Sequence, residues 1–260
     1  MPARRALKIV QPVICEEDGA ISLCFEDGIV QSRMSTSEPD RLVVEYTRLM
    51  MAFVLLHPQP RRIAMIGLGG GSLARYCRAH LRQVDITAVE IAPEVIAMRS
   101  LFGLPPDGRR FRVVCADGAD FLHHSDDEFD VLLVDAFESG GQPASVGTVS
   151  FYDDCAARLA EGGVLVVNLH SDDDNFGTYV RRIRTAFDKR ILVLSADESE
   201  NRVLLASTAP CFPPPREKIL ERLHQLEADH PIDLAAAERK IAQYIAGRSA
   251  GRRGRRRAVR

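Results

Sequence analysis

A glycine-rich run, Gly67-Leu68-Gly69-Gly70-Gly71-Ser72, stands between a short apolar segment and an amphipathic one. Glycines there let the backbone turn sharply and approach a ligand closely, and the helix that follows offers its first N–H groups. Three carboxylates recur at equivalent places further on. Glu90 ends the next apolar segment, Asp117 lies just past the third with Gly118 behind it, and Asp135 ends the run Val131-Leu132-Leu133-Val134. A carboxylate in the position of Glu90 accepts both hydroxyls of a ribose. One at Asp117 accepts an adenine amino hydrogen, and it also caps a helix beginning at Gly118. An ionised group after four apolar residues, as at Asp135, is hard to explain by packing. Gly67, Gly69, Gly70, Glu90, Asp117 and Gly118 are therefore the expected nucleotide-binding residues, with Asp135 the acidic group facing them. Ser72 stands where the full dinucleotide fingerprint has its third glycine, and no pattern for a second nucleotide follows. The set favours an adenosyl-sulfonium compound over a dinucleotide.

These residues meet only if strand ends are gathered side by side. Apolar segments at 63–66, 84–89, 111–115, 131–134, 164–169, 191–194 and 203–207 read as strands. Segments 72–81, 93–102, 118–123, 151–159 and 175–187 read as helices between them. That alternation predicts an α/β fold, a Rossmann-like, seven-stranded, mostly parallel sheet with helices on both faces. In such sheets ligands bind at the carboxyl ends of the strands, where the strand order reverses. The short polar loop 195–201 makes the last pair antiparallel. Residues 1–60 differ. Alternation at 21–25, the turn Glu26-Asp27-Gly28 and resumption at 29–32 predict a small β-hairpin region. A polar loop at 35–40 and one buried helix over 42–56 follow, ended by His57-Pro58-Gln59-Pro60. Beyond the domain at 61–210, Pro213-Pro214-Pro215 is a break, and 217–227 and 234–245 read as two amphipathic helices of an annex at 211–247.

The 260 residues are 46% hydrophobic and 27% charged, an ordinary globular balance. No apolar run reaches the roughly 18–20 residues of a membrane span. No leader pattern is visible, so the expectation is a cytoplasmic protein without membrane contact. Six scattered cysteines lack ligand spacing, which predicts buried or half-buried free thiols and no metal. Seven arginines at Arg248, Arg252, Arg253, Arg255, Arg256, Arg257 and Arg260 fall within 248–260, expected to be a disordered tail. Removing their +7 from the net charge of −2 leaves a body near −9. Such a body suits a small cationic substrate and disfavours nucleic acid, except through the tail. His170, after the fifth strand, falls on the cleft side.

The chain resembles the spermidine synthases, the polyamine aminopropyltransferases, from about residue 21 to 208. The stretches that carry this are Asp27-Gly28-Ile29-Val30-Gln31-Ser32, Ile66-Gly67-Leu68-Gly69-Gly70-Gly71-Ser72, Val89-Glu90-Ile91, Ala116-Asp117-Gly118, Leu133-Val134-Asp135 and Leu159-Ala160-Glu161-Gly162-Gly163-Val164-Leu165-Val166-Val167-Asn168. It is most similar to a divergent bacterial spermidine-synthase-like branch. The resemblance implies the S-adenosylmethionine-dependent methyltransferase fold and a homodimer. It implies decarboxylated S-adenosylmethionine as donor and a diamine such as putrescine as acceptor. Gln31 would contact the donor, Glu90 its ribose and Asp117 its adenine, with Asp135 catalytic. The stretch Asp135-Ala136-Phe137-Glu138-Ser139 departs from the family's Asp-Ser-Ser/Thr-Asp-Pro, with Glu138 in place of the second acid. Val44-Glu45-Tyr46 replaces its Tyr-His/Gln-Glu. Glu138 and Glu45 are thus the expected acceptor-binding residues. Two other functions fit the same fold: a methyltransferase using S-adenosylmethionine itself, since the first loop carries no Asp, and a catalytically idle binding protein.

Overall fold

The computed structural model describes residues 12–24, 30–81, 83–138 and 141–257, with side chains up to residue 247. Strands β1 (Val13–Glu17), β2 (Ala20–Cys24) and β3 (Val30–Ser35) form a small antiparallel sheet in the order β1-β2-β3. The hairpin expected at 21–32 is its β2–β3 half. The turn Glu26-Asp27-Gly28 lies outside the described residues. β1 was not anticipated, because its sequence Val-Ile-Cys-Glu-Glu lacks alternation and its face is mostly exposed.

The second sheet has seven strands in the order β6-β5-β4-β7-β8-β10-β9. They are β4 (Arg62–Ile66), β5 (Asp85–Glu90), β6 (Phe111–Cys115), β7 (Phe129–Val134), β8 (Leu159–His170), β9 (Ile191–Ser195) and β10 (Asn201–Ser207). β4, β5, β6, β7 and β8 run parallel, while β10 pairs antiparallel with both β8 and β9. β4 has β5 on one side and β7 on the other, so the order reverses there and a crevice opens at their carboxyl ends. Alternation of side chains splits the core into two layers. Met65, Leu133, Val166 and Leu205 face one layer, and Ala64, Leu132, Val167 and Leu204 face the other.

The first layer is covered by α2 (Ser72–His80), α7 (Arg216–Leu226) and α8 (Leu234–Arg257). The second is covered by α4 (Gly118–His124), α5 (Val149–Arg158) and α6 (Phe176–Ala186). The annex is tied down by polar contacts as well. Arg222 donates to the carbonyls of Leu55 and Leu56 at 2.9 and 2.7 Å, and Tyr76 Oη pairs with His230 Nδ1 at 2.8 Å.

Several expectations need correction. The segment 42–56 is not one helix: α1 (Glu45–Met50) tightens into a 3-10 turn, Met51–Leu55. Every residue of that turn is fully buried, so packing on all sides, with Pro58 close behind, overrides the α-type ladder. The helix expected over 93–102 is only α3 (Pro93–Ala97). After it the chain turns to set Phe102 and Leu104 against the glycine loop, with Gly103 at φ +66°. Helix α8 runs into the Arg-rich stretch that begins at 248, and it ends at Arg257. Of the cysteines, Cys24, Cys77 and Cys155 are buried, but Cys15, Cys115 and Cys211 are exposed, and all six are free. Among the described residues no helix is long and apolar enough to cross a membrane.

Candidate active site

The glycine loop joins β4 to α2 and is held from three directions. Gly67 has φ +94°, and a Cβ there would run into the carbonyl of Asp135. The end of β7 thus passes so close to the end of β4 that only glycine fits. Hydrogen bonds continue the sheet past the strand ends: Asp135 N–H donates to Ile66 O at 2.9 Å, and Gly67 N–H to Val89 O at 2.8 Å. Beneath Gly70, a Cβ would fall 2.7 Å from Ser32 Oγ and 3.0 Å from the ring of Phe102. Arg75 is 4% exposed and braces the same turn, donating to the carbonyls of Phe102 at 2.7 Å, Pro39 at 3.0 Å and Gly70. Burial lowers its pKa to about 10, against the raising influence of Asp40, so the guanidinium stays charged at neutral pH.

Glu90, at the end of β5, grips the loop. Its Oε2 accepts the N–H of Leu68 at 2.9 Å and its Oε1 that of Ala92 at 3.0 Å. An ionised carboxylate has about four acceptor sites, so about two remain for a ligand's hydroxyls. Asp117 caps α4 through Oδ1, which accepts from Ala119 N at 2.7 Å and Asp120 N at 3.3 Å. The cap leaves Oδ2 outside it. Gly118 lies against Ile66 Cγ2, where a Cβ would not fit, so this glycine lets α4 pack on β4.

The N-terminal sheet covers the loop through β3. Ser32, buried, places its Oγ 3.2 Å from Ser72 Oγ. Half-buried Gln31 lies where the β2–β3 register shifts by one residue, and its neighbour Ser32 is the residue whose hydroxyl meets Ser72.

Asp135 sits at the carboxyl end of β7, half-buried. Its Oδ1 accepts the amide of Asn168 at 2.9 Å and its Oδ2 the hydroxyl of Tyr46 at 3.2 Å. Burial pushes its carboxyl above the ordinary range. The hydrogen bonds from Asn168 and Tyr46 and the nearby charge of His170 pull it back part of the way. Tyr46 is itself raised well above its usual value, first by burial and then by Asp135, so it remains a donor at neutral pH.

Two expected acceptor residues fare differently. Glu45 does not face the cleft with a free carboxylate. Its oxygens accept the backbone N–H groups of Asp197 at 2.7 and 2.9 Å and of Glu198 at 2.6 Å, so it anchors the loop between β9 and β10. That loop has exposed backbone donors, and a carboxylate on the neighbouring α1 is the acceptor within reach. Glu138 is exposed at the rim, and its backbone exchanges two hydrogen bonds with Gly141 at 2.8 and 3.1 Å. Next to it, the ring of Phe137 lies 4.8 Å from that of His170, whose Nδ1 is 3.6 Å from Asp172 Oδ1. His170 therefore stands at the mouth beside Asp135.

Sequence reasoning passed over Tyr46, Asn168 and Asn201 as individual residues. Asn168 left a signal: an amide inside Val166-Val167-Asn168-Leu169 needs a polar partner. Asn201 and Tyr46 left none, because their partners are distant in the chain.

The arrangement sets a glycine loop without obstructing Cβ atoms beside a half-buried carboxylate. Residues 43–197 match the family model for the spermine/spermidine synthase domain. A polyamine aminopropyltransferase of Chromobacterium violaceum is 33% identical over 243 residues, which cover 93% of this chain and 92% of that one. One from Neisseria meningitidis serogroup A is 35% identical over 212 residues, 81% of this chain and 79% of the other. Among solved structures, a probable spermidine synthase from Corynebacterium glutamicum superposes with a TM-score of 0.70 at 21% identity, covering 86% of each chain; at that identity the likeness speaks for the fold.

Proposed function

The chain belongs to the spermine/spermidine synthase family, and we propose that it is an aminopropyltransferase that moves the aminopropyl group of decarboxylated S-adenosylmethionine to a small amine such as putrescine. The observation that carries this reading is the carboxylate of Asp135, held between Tyr46 and Asn168 directly across from the glycine loop.

The donor fits the residues present. Glu90 has acceptor capacity left for the ribose hydroxyls, Asp117 Oδ2 for the adenine amino group, and the loop has no Cβ to obstruct a close approach. In the reaction, the lone pair of a neutral acceptor amine forms a bond to the methylene carbon beside the sulfonium. The carbon–sulfur bond breaks, and its electron pair returns to sulfur, leaving neutral methylthioadenosine. The amine's proton passes to Asp135, whose raised pKa makes it a better acceptor than a solvated carboxylate. Holding the two reactants in line supplies much of the rate. Glu138 and Asp172 at the mouth suit the far ammonium of a diamine, and the acidic body favours its approach.

The deciding experiment mixes the protein with decarboxylated S-adenosylmethionine and putrescine and measures methylthioadenosine. Product formation is expected. No methylthioadenosine with any of a panel of diamines, alongside S-adenosylhomocysteine formed from S-adenosylmethionine, overturns the reading in favour of methyl transfer.

Tyr46→Phe gives a second check. Rate depends on ionised Asp135, so activity is lost as pH falls through its folded pKa. Removing the Tyr46 hydroxyl removes an interaction that lowers that pKa. The acid limb of kcat/KM is therefore expected to move to higher pH by about one unit. A pH–rate profile identical to that of the parent counts against the contact.

A further inference from the structure

Asp135 is the inner end of a chain of hydrogen bonds that leaves the cleft. A carboxylate can only accept, so the amide nitrogen of Asn168 must face it, at 2.9 Å from Oδ1. The carbonyl of Asn168 then faces the other way, and it accepts the amide of Asn201 at 2.9 Å. The carbonyl of Asn201 in turn accepts the hydroxyl of Ser199 at 2.7 Å. Asn168 and Asn201 are only 2% and 5% exposed, so water does not compete for these groups. The direction of every link is set from the inner end, by the acceptor-only carboxylate, and each amide passes it outward.

The outer end is anchored. Ser199 belongs to the β9–β10 loop, whose Asp197 and Glu198 N–H groups are gripped by Glu45. Lys240 of α8 holds the same loop, through Ser195 O at 2.7 Å and Asp197 Oδ1 at 2.6 Å. Glu45 is adjacent to Tyr46, which holds the other oxygen of Asp135. One turn of α1 thus fixes the carboxylate twice, once directly and once through the loop, Asn201 and Asn168.

We propose that Asn168 and Asn201 are positioning residues for Asp135, with Asn201 acting through Asn168 to keep an N–H donor on the carboxylate. The proposal rests on Asp135 being the proton acceptor of aminopropyl transfer. An amide packs equally well either way round, so shape alone does not orient Asn168. Asn201 reinforces the orientation that the carboxylate imposes, because its own amide group presents a donor to the Asn168 carbonyl.

Asn201→Asp tests this. The new side chain is nearly isosteric but has no N–H. Its carboxylate attracts the Asn168 amide nitrogen away from Asp135 and turns the Asn168 carbonyl toward it. The acid limb of kcat is expected to move up by about one pH unit or more, with kcat at neutral pH reduced and the donor KM unchanged. Asn201→Ala, which removes the donor and adds no charge, is expected to shift the limb in the same direction by less. The titratable groups acting on Asp135 are Tyr46 from α1 and His170 from the end of β8, the latter beside Asp172. All remain intact in both variants. Should neither variant fold, Ser199→Ala on the exposed loop removes the outermost donor and should give a smaller shift of the same sign. A uniform fall in kcat with an unmoved pH profile, or a change confined to KM, overturns the proposal. Absence of methylthioadenosine with the parent protein instead overturns the functional reading beneath it.

Discussion

Asp135→Asn is expected to reduce aminopropyl transfer by about 10²- to 10⁴-fold, the usual contribution of a positioned acid–base group, with donor affinity by calorimetry changed no more than a few-fold. The substitution keeps the shape and the acceptor for Asn168, reverses the Tyr46 contact so that the new amide donates to its hydroxyl, and removes the charge that accepts the proton. Stability should respond in the opposite sense. Burial raises the folded pKa of Asp135 above its unfolded value, so the native state binds the proton more tightly. Ionising this group therefore costs stability at neutral pH, and the cost disappears as pH falls below the folded pKa. The amide variant should melt at a temperature equal to or above that of the parent near pH 7.5, with any advantage shrinking toward pH 4. A variant retaining more than about a tenth of the parental rate would remove Asp135 from the mechanism.

Gly67→Ala is expected to damage both fold and activity. Its Cβ would meet the Asp135 carbonyl, and its φ of +94° is one that alanine adopts only under strain. Overpacking and backbone strain each cost about 1–3 kcal/mol, so a loss of roughly 3 kcal/mol or more is expected by urea denaturation. Separating the ends of β4 and β7 also moves Asp135 away from the glycine loop. A misplacement on the order of 1 Å lowers kcat/KM by about 100-fold. Gly162→Ala is the control. Gly162 has φ +76°, but nothing lies within 4 Å of its added Cβ, so only the strain component applies and activity should be kept. Equal losses in the two variants would show that φ alone matters and that the approach of β7 to the loop is unimportant.

Much of this molecule was legible in the order of its residues. The seven strands of the main sheet follow from short apolar runs separated by helical ones, and β6 was placed to the residue. The antiparallel last pair follows from the brief polar loop before Asn201. Glu90, Asp117 and Asp135 each lie at or just past the end of a strand, and a parallel sheet brings all such ends to one edge. What was not legible depends on neighbours that lie far away in sequence. Glu45 reads as a free acid until the backbone of Asp197 and Glu198 is placed against it. The contact of Ser32 with Ser72 appears only when β3 is laid against the glycine loop. The 3-10 turn at Met51–Leu55 reads as helix until the annex closes over it.

The local pattern of strands and helices, set by side-chain period and by the residues that break it, was thus determined by the sequence alone, as was the placing of Glu90, Asp117 and Asp135 at strand ends. The tertiary structure decided which oxygen of Asp135 each partner holds, and which backbone N–H groups Glu45, Glu90 and Asp117 accept. The physical reason is range. Periodicity acts over a few residues, whereas the Tyr46–Asp135 and Asn168–Asn201 hydrogen bonds join residues 89 and 33 positions apart, and they exist only once the two faces of the crevice have met.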